Sequence, residues 1–281
     1  MKKTVLHLIL MLLPLMAICQ SPPTILADNS VEQLPLDGIV ERKVLRERRV
    51  LEYPSLREND LLWEKKVWRL IDTREKMNQA FRYPQKYFFE ILTEGIEKGT
   101  IRAYSAESDD FSFPLKPEEA LSDLQQIDTL PIINPETFEE SLQVVVNSLD
   151  PAKVIRYRIK EVWYFDKTHG TLKTRILGIA PMITERDEMG NFKFERPMFW
   201  VYYPDCREWL SKYPFFNDHT DKQESSWEDL FEMRRFASYI TKESNVLDER
   251  LEDQLSGIDR LMRADQINQE IFNYEFDLWS N

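Results

Sequence analysis

Between Ile155 and Phe165 large apolar residues alternate with charged or polar ones. Ile155, Tyr157, Ile159, Trp163 and Phe165 take one side of the pattern, and Arg156, Arg158, Lys160 and Tyr164 take the other. Successive side chains of an extended chain point to opposite faces, so a period of two describes a strand with one buried and one wet face. Asp166-Lys167-Thr168-His169-Gly170 has the composition of a turn. Residues 171–180 return as a second strand through Leu172, Ile176, Leu177 and Ile179. Residues 198–203 are almost wholly apolar and read as a third, central strand. Short connections favour antiparallel pairing. The expected fold class is therefore α+β: a small antiparallel sheet, with strands near 154–165, 170–180 and 197–203, packed with helices from both the N-terminal and the C-terminal parts.

Helical signals flank this region. Ser55-Leu56-Arg57-Glu58 fits a capping box, and Trp63, Val67, Leu70 and Arg74 follow at helical spacing, which predicts a helix over 58–77. Pro84 opens a second, with Tyr87/Ile91 and Phe88/Leu92 four apart and Gly99 as its stop. A short strand follows at 100–104. Residues 105–152 hold five prolines and many acids; a short helix from Pro117 and a strand through Val144, Val145 and Val146 are the readable pieces. Asp205 can cap a helix over 206–210. Ser225-Ser226-Trp227-Glu228-Asp229 is a second capping box, predicting a helix to about Ile240. Leu247, Leu251 and Leu255 form a stripe, and Ile267, Ile271, Phe272, Tyr274, Leu278 and Trp279 keep the chain apolar to its end. A terminus this aromatic is expected to dock on the fold or on a partner.

The first residues carry a different signal. Lys2 and Lys3 precede an apolar run over 5–18, followed by Ala17-Ile18-Cys19 and polar residues. That order is the pattern of a secretory signal peptide cleaved after Cys19. An uncleaved anchor and a lipidated Cys19 are the alternatives. No later segment reaches the roughly 18–20 apolar residues of a spanning helix. The domain reading is a signal peptide at 1–19, a flexible linker at 20–40 with Pro22, Pro23 and Pro35, and one domain over 41–281. After cleavage Cys206 is the single cysteine, so no intramolecular disulfide is expected.

Chemistry is sparse. Seven glycines leave little room for a phosphate-cradling loop, and a net charge of -12 argues against nucleic acid. His169 lies in the turn and His219 in a polar loop with Asp218 and Asp221. A Cys206–His169–Asp166 triad lacks any surrounding signature, and the Asp218-His219-Thr220-Asp221 loop lacks the glycine of a dedicated calcium motif. No catalytic residue, metal or cofactor is expected. Seven tryptophans with many tyrosines and arginines are instead the residue types that dominate protein contacts. The candidate partner-binding residues are Arg42, Lys43, Arg46, Arg48 and Arg49 in a basic strip, Trp63 and Trp68 in the 58–77 segment, and Trp279 at the C-terminus.

Several stretches resemble the GldN/PorN family of gliding and secreting Bacteroidetes, in order from about residue 41 to the end. They are 52–60, 63–69 and 71–78; 159–167; 178–181 and 199–204; 236–246; and 272–279. The resemblance implies a periplasmic component of the type IX secretion and gliding machinery, with no catalytic residues to carry over. It implies a ring shared with a GldK/PorK-like lipoprotein, self-association within that ring, and contact with the motor proteins GldL and GldM/PorM, the latter through its periplasmic region. An envelope enzyme acting on glycan or peptide is the alternative. The C-terminus does not resemble the secretion domain of exported cargo.

Overall fold

A computed structural model of the chain describes residues 49–82, 86–122, 125–133, 140–187, 189–215 and 225–280. In chain order the elements are β1 (Leu61–Asp72), α1 (Phe88–Glu97), β2 (Ala103–Tyr104), α2 (Pro117–Ala120), β3 (Gln125–Ile133), β4 (Glu140–Ser148), β5 (Arg156–Asp166), β6 (Thr171–Arg186), β7 (Phe192–Pro197), β8 (Trp200–Tyr202), α3 (Tyr203–Leu210), β9 (Pro214–Phe215), β10 (Ser225–Ser226), α4 (Trp227–Glu232), β11 (Tyr239–Glu243), α5 (Leu251–Gln254) and α6 (Gly257–Ser280). The main sheet is antiparallel in the order β11-β1-β5-β6-β8-β2, and β6 also pairs β7 beyond the end of β8. Two small hairpins, β3-β4 and β9-β10, stand outside it. The signal-peptide and linker segments lie outside the described residues.

The α+β class and all three expected strands are present. β5 and β6 pair from Asp166↔Thr171 to Arg156↔Met182. Their turn is closed by the Asp166 carboxylate, which accepts the Thr168 amide at 3.0 Å, and by Gly170 at φ 61. β8 lies inside the sheet, between β6 and the two-residue β2. Residues 58–77 differ from expectation. A 3-10 turn at Glu58–Asp60 leads into β1, a twelve-residue strand paired with β5 on one side and β11 on the other. Trp63, Val67 and Ile71 are four apart, a spacing that puts side chains on one face of a helix and equally on one face of a strand. Pairing on both edges decides the ambiguity, as tertiary context does for marginal propensities. The helices from the N-terminal part therefore reduce to α1, with a 3-10 turn at Lys76–Arg82.

α1 ends where Gly99 takes φ 68, as the sequence suggested. Ser226 caps α4 through a reciprocal box with Asp229, also as expected. However, α4 stops at Glu232, well short of Ile240. Arg234 turns left-handed at φ 52, and Arg235 N closes the end on Leu230 O at 2.9 Å. Ile240 then sits on β11 instead of on a continued helix. Leu247 is 72% exposed, so the stripe read at 247–255 reduces to the single turn of α5.

One face of the sheet carries two apolar clusters. The larger joins Ile71, Tyr157 and Ile159 to Phe88 of α1, Trp227 and Phe231 of α4 and Phe81. Phe88 meets Trp227 at 4.6 Å and Tyr157 at 5.2 Å between ring centroids. The smaller joins Val67, Trp163 and Ile240 to Ala264, Ile267 and Ile271 of α6. Glu161 lies at the seam between them, fully buried. Its carboxylate accepts Arg234 at 2.6 Å and the Trp163 indole N–H at 3.0 Å, with Arg69 at 3.6 Å. Arg69 also donates to Ser238 Oγ and to Asn268 Oδ1 of α6, each at 2.9 Å. The opposite face is covered by Trp68, Tyr104, Ala180 and Trp200, with Phe111 against them. Gly178 has no side chain there for a reason: a Cβ would lie 2.6 Å from the Phe111 ring.

Breaking a buried ion pair by removing one member costs about 3–5 kcal/mol, because the other charge is left unanswered. Glu161→Ala is therefore expected to lose about that much stability. Glu161→Leu combined with Arg69→Met is expected to lose much less. Urea unfolding of the two variants checks this, and equal losses would contradict it.

Acid should also unfold the protein. Hydrogen bonds from Lys86 and then Lys98 hold the Glu94 carboxyl at about 2, below its usual 4.5. Hydrogen bonding to Arg74 holds Asp72 well below 3.8. Groups with depressed folded values stabilise above their unfolded values and lose that contribution as pH falls through the folded ones. The melting temperature is expected to hold down to about pH 5 and to fall between about pH 4.5 and 2. A pH series of thermal melts tests the window.

Candidate interaction surface

The contact residues suggested by the sequence scatter and regroup. Arg42, Lys43, Arg46 and Arg48 lie outside the described residues, while Arg49 is exposed at their edge. Trp63 and Trp68 fall on opposite faces of β1. Trp68 is buried, and its indole donates to Asp109 Oδ2 at 2.6 Å. Trp63 is half-buried and stacks on Tyr274 of α6 at 4.5 Å, 20° from parallel. Trp279 belongs to the last turn of α6. The structure thus brings one of the two β1 tryptophans, Trp63, against the C-terminal helix.

α6 has two apolar sides. Ala264, Ile267 and Ile271 face the sheet and are buried. Ile258, Leu261, Met262, Phe272 and Phe276 are exposed, Phe276 to 73%. At 100° per residue these five share a sector turned away from the buried side, and Phe272 at its edge also meets the Trp163 ring at 5.6 Å. A helix that packs on one side alone has no need of a second apolar sector. Lys65, Glu243, Arg263 and Glu270 form an ion-paired border beside the buried side, with Lys65 2.6 Å from Glu243 and Arg263 2.8 Å from Glu270. Sequence reading found Phe272 but not Ile258, Leu261 or Met262. The detectable signal was a second apolar register with the same helical period.

Upstream of β1 the chain is strapped to the domain. The Tyr53 ring lies between two guanidinium groups, Arg175 at 4.3 Å and Arg207 at 4.1 Å from its centroid. Its hydroxyl donates to Glu232 Oε1 at 2.6 Å, and Arg207 donates to Leu51 O at 2.8 Å. Burial, then the hydrogen bond to Glu232, pushes the Tyr53 hydroxyl well above its usual value. Arg207 is held in turn by Glu228 at 2.8 Å. The basic strip at 41–49 is therefore joined to a fixed point four residues beyond its end.

The residues weighed for chemistry are kept apart in role. His169 Nδ1 meets Asp166 Oδ2 at 2.6 Å in the β5-β6 turn, and Lys173 shares the same carboxylate oxygen at 2.8 Å. Cys206 lies in the larger core cluster, where its thiol donates to Tyr202 O at 3.1 Å. Burial pushes that thiol far up, away from the thiolate a nucleophile needs. His219, Asp218 and Asp221 lie outside the described residues. Among the described residues no three His, Cys, Asp or Glu side chains converge as a metal would require. No described helix is long and apolar enough to cross a membrane.

Replacing Tyr53 by alanine removes two cation–π contacts and a hydrogen bond to a carboxylate. The expected loss is about 1–2 kcal/mol, with faster proteolysis after Arg57. Tyr53→Phe keeps the stacking and should lose only the smaller, hydroxyl-dependent part. Denaturant unfolding and limited trypsin digestion measure both.

A search of curated proteins finds no match. A family model does match, over residues 56–280: that of the gliding motility associated protein GldN. The match covers most of the chain and takes in β1, the whole sheet and α6. The chain belongs to the GldN family.

Proposed function

We propose that the protein is a non-enzymatic structural subunit of the type IX secretion and gliding machinery. In this reading it is exported to the periplasm and assembles there with an outer-membrane lipoprotein of the GldK/PorK kind. The two form a ring needed for secretion, which also meets the periplasmic part of a GldM/PorM-like motor protein. Membership of a gliding-motility family supports the general role. The observation that carries the structural reading is the exposed apolar side of α6, with Phe272 at 60% and Phe276 at 73% exposure. Exposed apolar side chains in two groups, 258–262 and 272–276, with the polar Asp265 and Gln269 between them, have the mixed composition of a protein contact. The C-terminal helix is the proposed contact, with Trp63 and Trp279 at its side and end and the basic strip at 42–49 as a second docking element.

The test places a photo-cross-linking residue at Leu261, Phe272 or Phe276 in cells, with exposed Glu97 of α1 as control. Adducts with an envelope lipoprotein from the α6 positions alone are expected. Leu261→Asp should abolish co-purification while leaving the melting temperature within about 2 °C. A chain that remains monomeric in envelope extracts rich in the lipoprotein would sink the reading. Alanine at His169 or Cys206 should leave secretion intact. Loss of secretion with the complex still assembled would favour the enzyme alternative instead.

A further inference from the structure

On the sheet face opposite the helices, a cavity of about 50 Å³ is lined by Trp68, Asp109, Arg158, Thr241, Lys242 and Arg250. β1, β5 and β11 supply Trp68, Arg158 and the Thr241-Lys242 pair, so its floor is three neighbouring strands of the sheet. Most of the charges around it are answered. Lys242 lies 2.5 Å from Asp248, and Arg250 lies 3.2 Å from Glu252. Asp109 accepts the Trp68 indole at 2.6 Å and Lys160 at 3.0 Å. The Thr241 hydroxyl donates to Trp68 O at 3.2 Å. Arg158 is the exception. It makes no ion pair among the described residues, and its buried Nε meets no acceptor there. Burial, with Arg250 adding to it, lowers its pKa to about 10, which still leaves the guanidinium charged at neutral pH.

A charge so placed favours a counter-ion from outside the described chain. We propose that this cavity binds a single carboxylate, carried on an acidic side chain of a partner protein. Three features select that group. The unanswered charge is one, matching a monoanion. A phosphate would bring about −1.5 to −2 at neutral pH and meet Asp109 across the cavity. A planar guanidinium pairs a carboxylate through two parallel hydrogen bonds. Finally, at about 50 Å³ the cavity is far below the roughly 300–1,000 Å³ of pockets that hold whole small molecules. It suits one functional group. The partner as carrier rests on the structural-subunit reading above; the anion site itself does not.

The experiment titrates the full mature chain with propionate, inorganic phosphate and chloride at constant ionic strength, following the indole N–H resonance of Trp68, which lines the cavity, by NMR. Saturable perturbation by propionate is expected, at least about tenfold weaker for phosphate and absent for chloride. Arg158→Met should abolish the response and leave the melting temperature of the anion-free protein unchanged or raised. If that variant fails to fold, Arg158 is serving the native core and the proposal falls. Arg158→Lys, which keeps the charge but loses the fork, should weaken binding about tenfold. Phosphate binding as tight as propionate would overturn the carboxylate assignment, and no saturable response would overturn the site. Should the probe bind while Arg158→Met still co-purifies with the native complex, the partner as carrier is wrong and the site stands. Should wild-type protein bind the probe yet join no complex at all, the structural-subunit reading fails on its own.

Discussion

The fold depends on one carboxylate. Glu161 sits on the apolar face of the longest pairing in the sheet, where Ile159 and Trp163 on its own strand belong to different core clusters. It is fully buried, and its oxygens gather Arg69 from β1, Arg234 from the end of α4 and the indole of Trp163. Through Arg69 the network reaches Ser238 and Asn268, and so the approach to β11 and the middle of α6. Hydrophobic burial is non-directional and would let either cluster slide along the sheet. Hydrogen-bond geometry is not so permissive. The network therefore sets where the two helical groups stop and which stretch of sheet each covers.

The same network marks where sequence reading succeeds and fails. The alternation around Tyr157 and Ile159 is local, and β5 follows from it directly. β1 was harder, because Trp63, Val67 and Ile71 satisfy both periods and the decision comes from strands 90 and 170 residues away in the chain. The end of α4 is harder again. Phe236 and Ile240 look like a continued helix, yet Arg234 leaves helical geometry where its guanidinium meets Glu161, a residue 73 positions distant. Of the candidate surface, the apolar C-terminus was legible as composition. Its division into a buried and an exposed side was not, because that requires knowing which side of α6 the sheet claims. The Tyr53 strap left no readable trace, since Arg175 and Arg207 are distant in the chain and ordinary in their local sequence.

The sheet also separates two kinds of environment. The helical face is aromatic, and the charge of Glu161 buried there is met by Arg69 and Arg234. The other face carries Lys160 and Lys242 over the Trp68 ring, at 5.5 and 4.4 Å, with Asp109 closing the arrangement. A cation over an indole is stabilised by the ring's quadrupole and keeps part of its hydration. The family match spans both faces, so both belong to the shared domain.

The Tyr53 strap sits at residue 53, ahead of that match. Its position has a mechanical consequence. Tension entering the chain upstream of Leu51 reaches the stacked Tyr53 and the Arg207–Leu51 bond before it reaches Leu61, where β1 begins. Without the strap, the same pull would peel β1 from the middle of the sheet one ladder bond at a time. With it, the load is first spread across a ring, two guanidinium groups and a carboxylate anchored in β6, α3 and α4. The strap is a strain relief, and it shields the central strand from whatever pulls on the N-terminal arm.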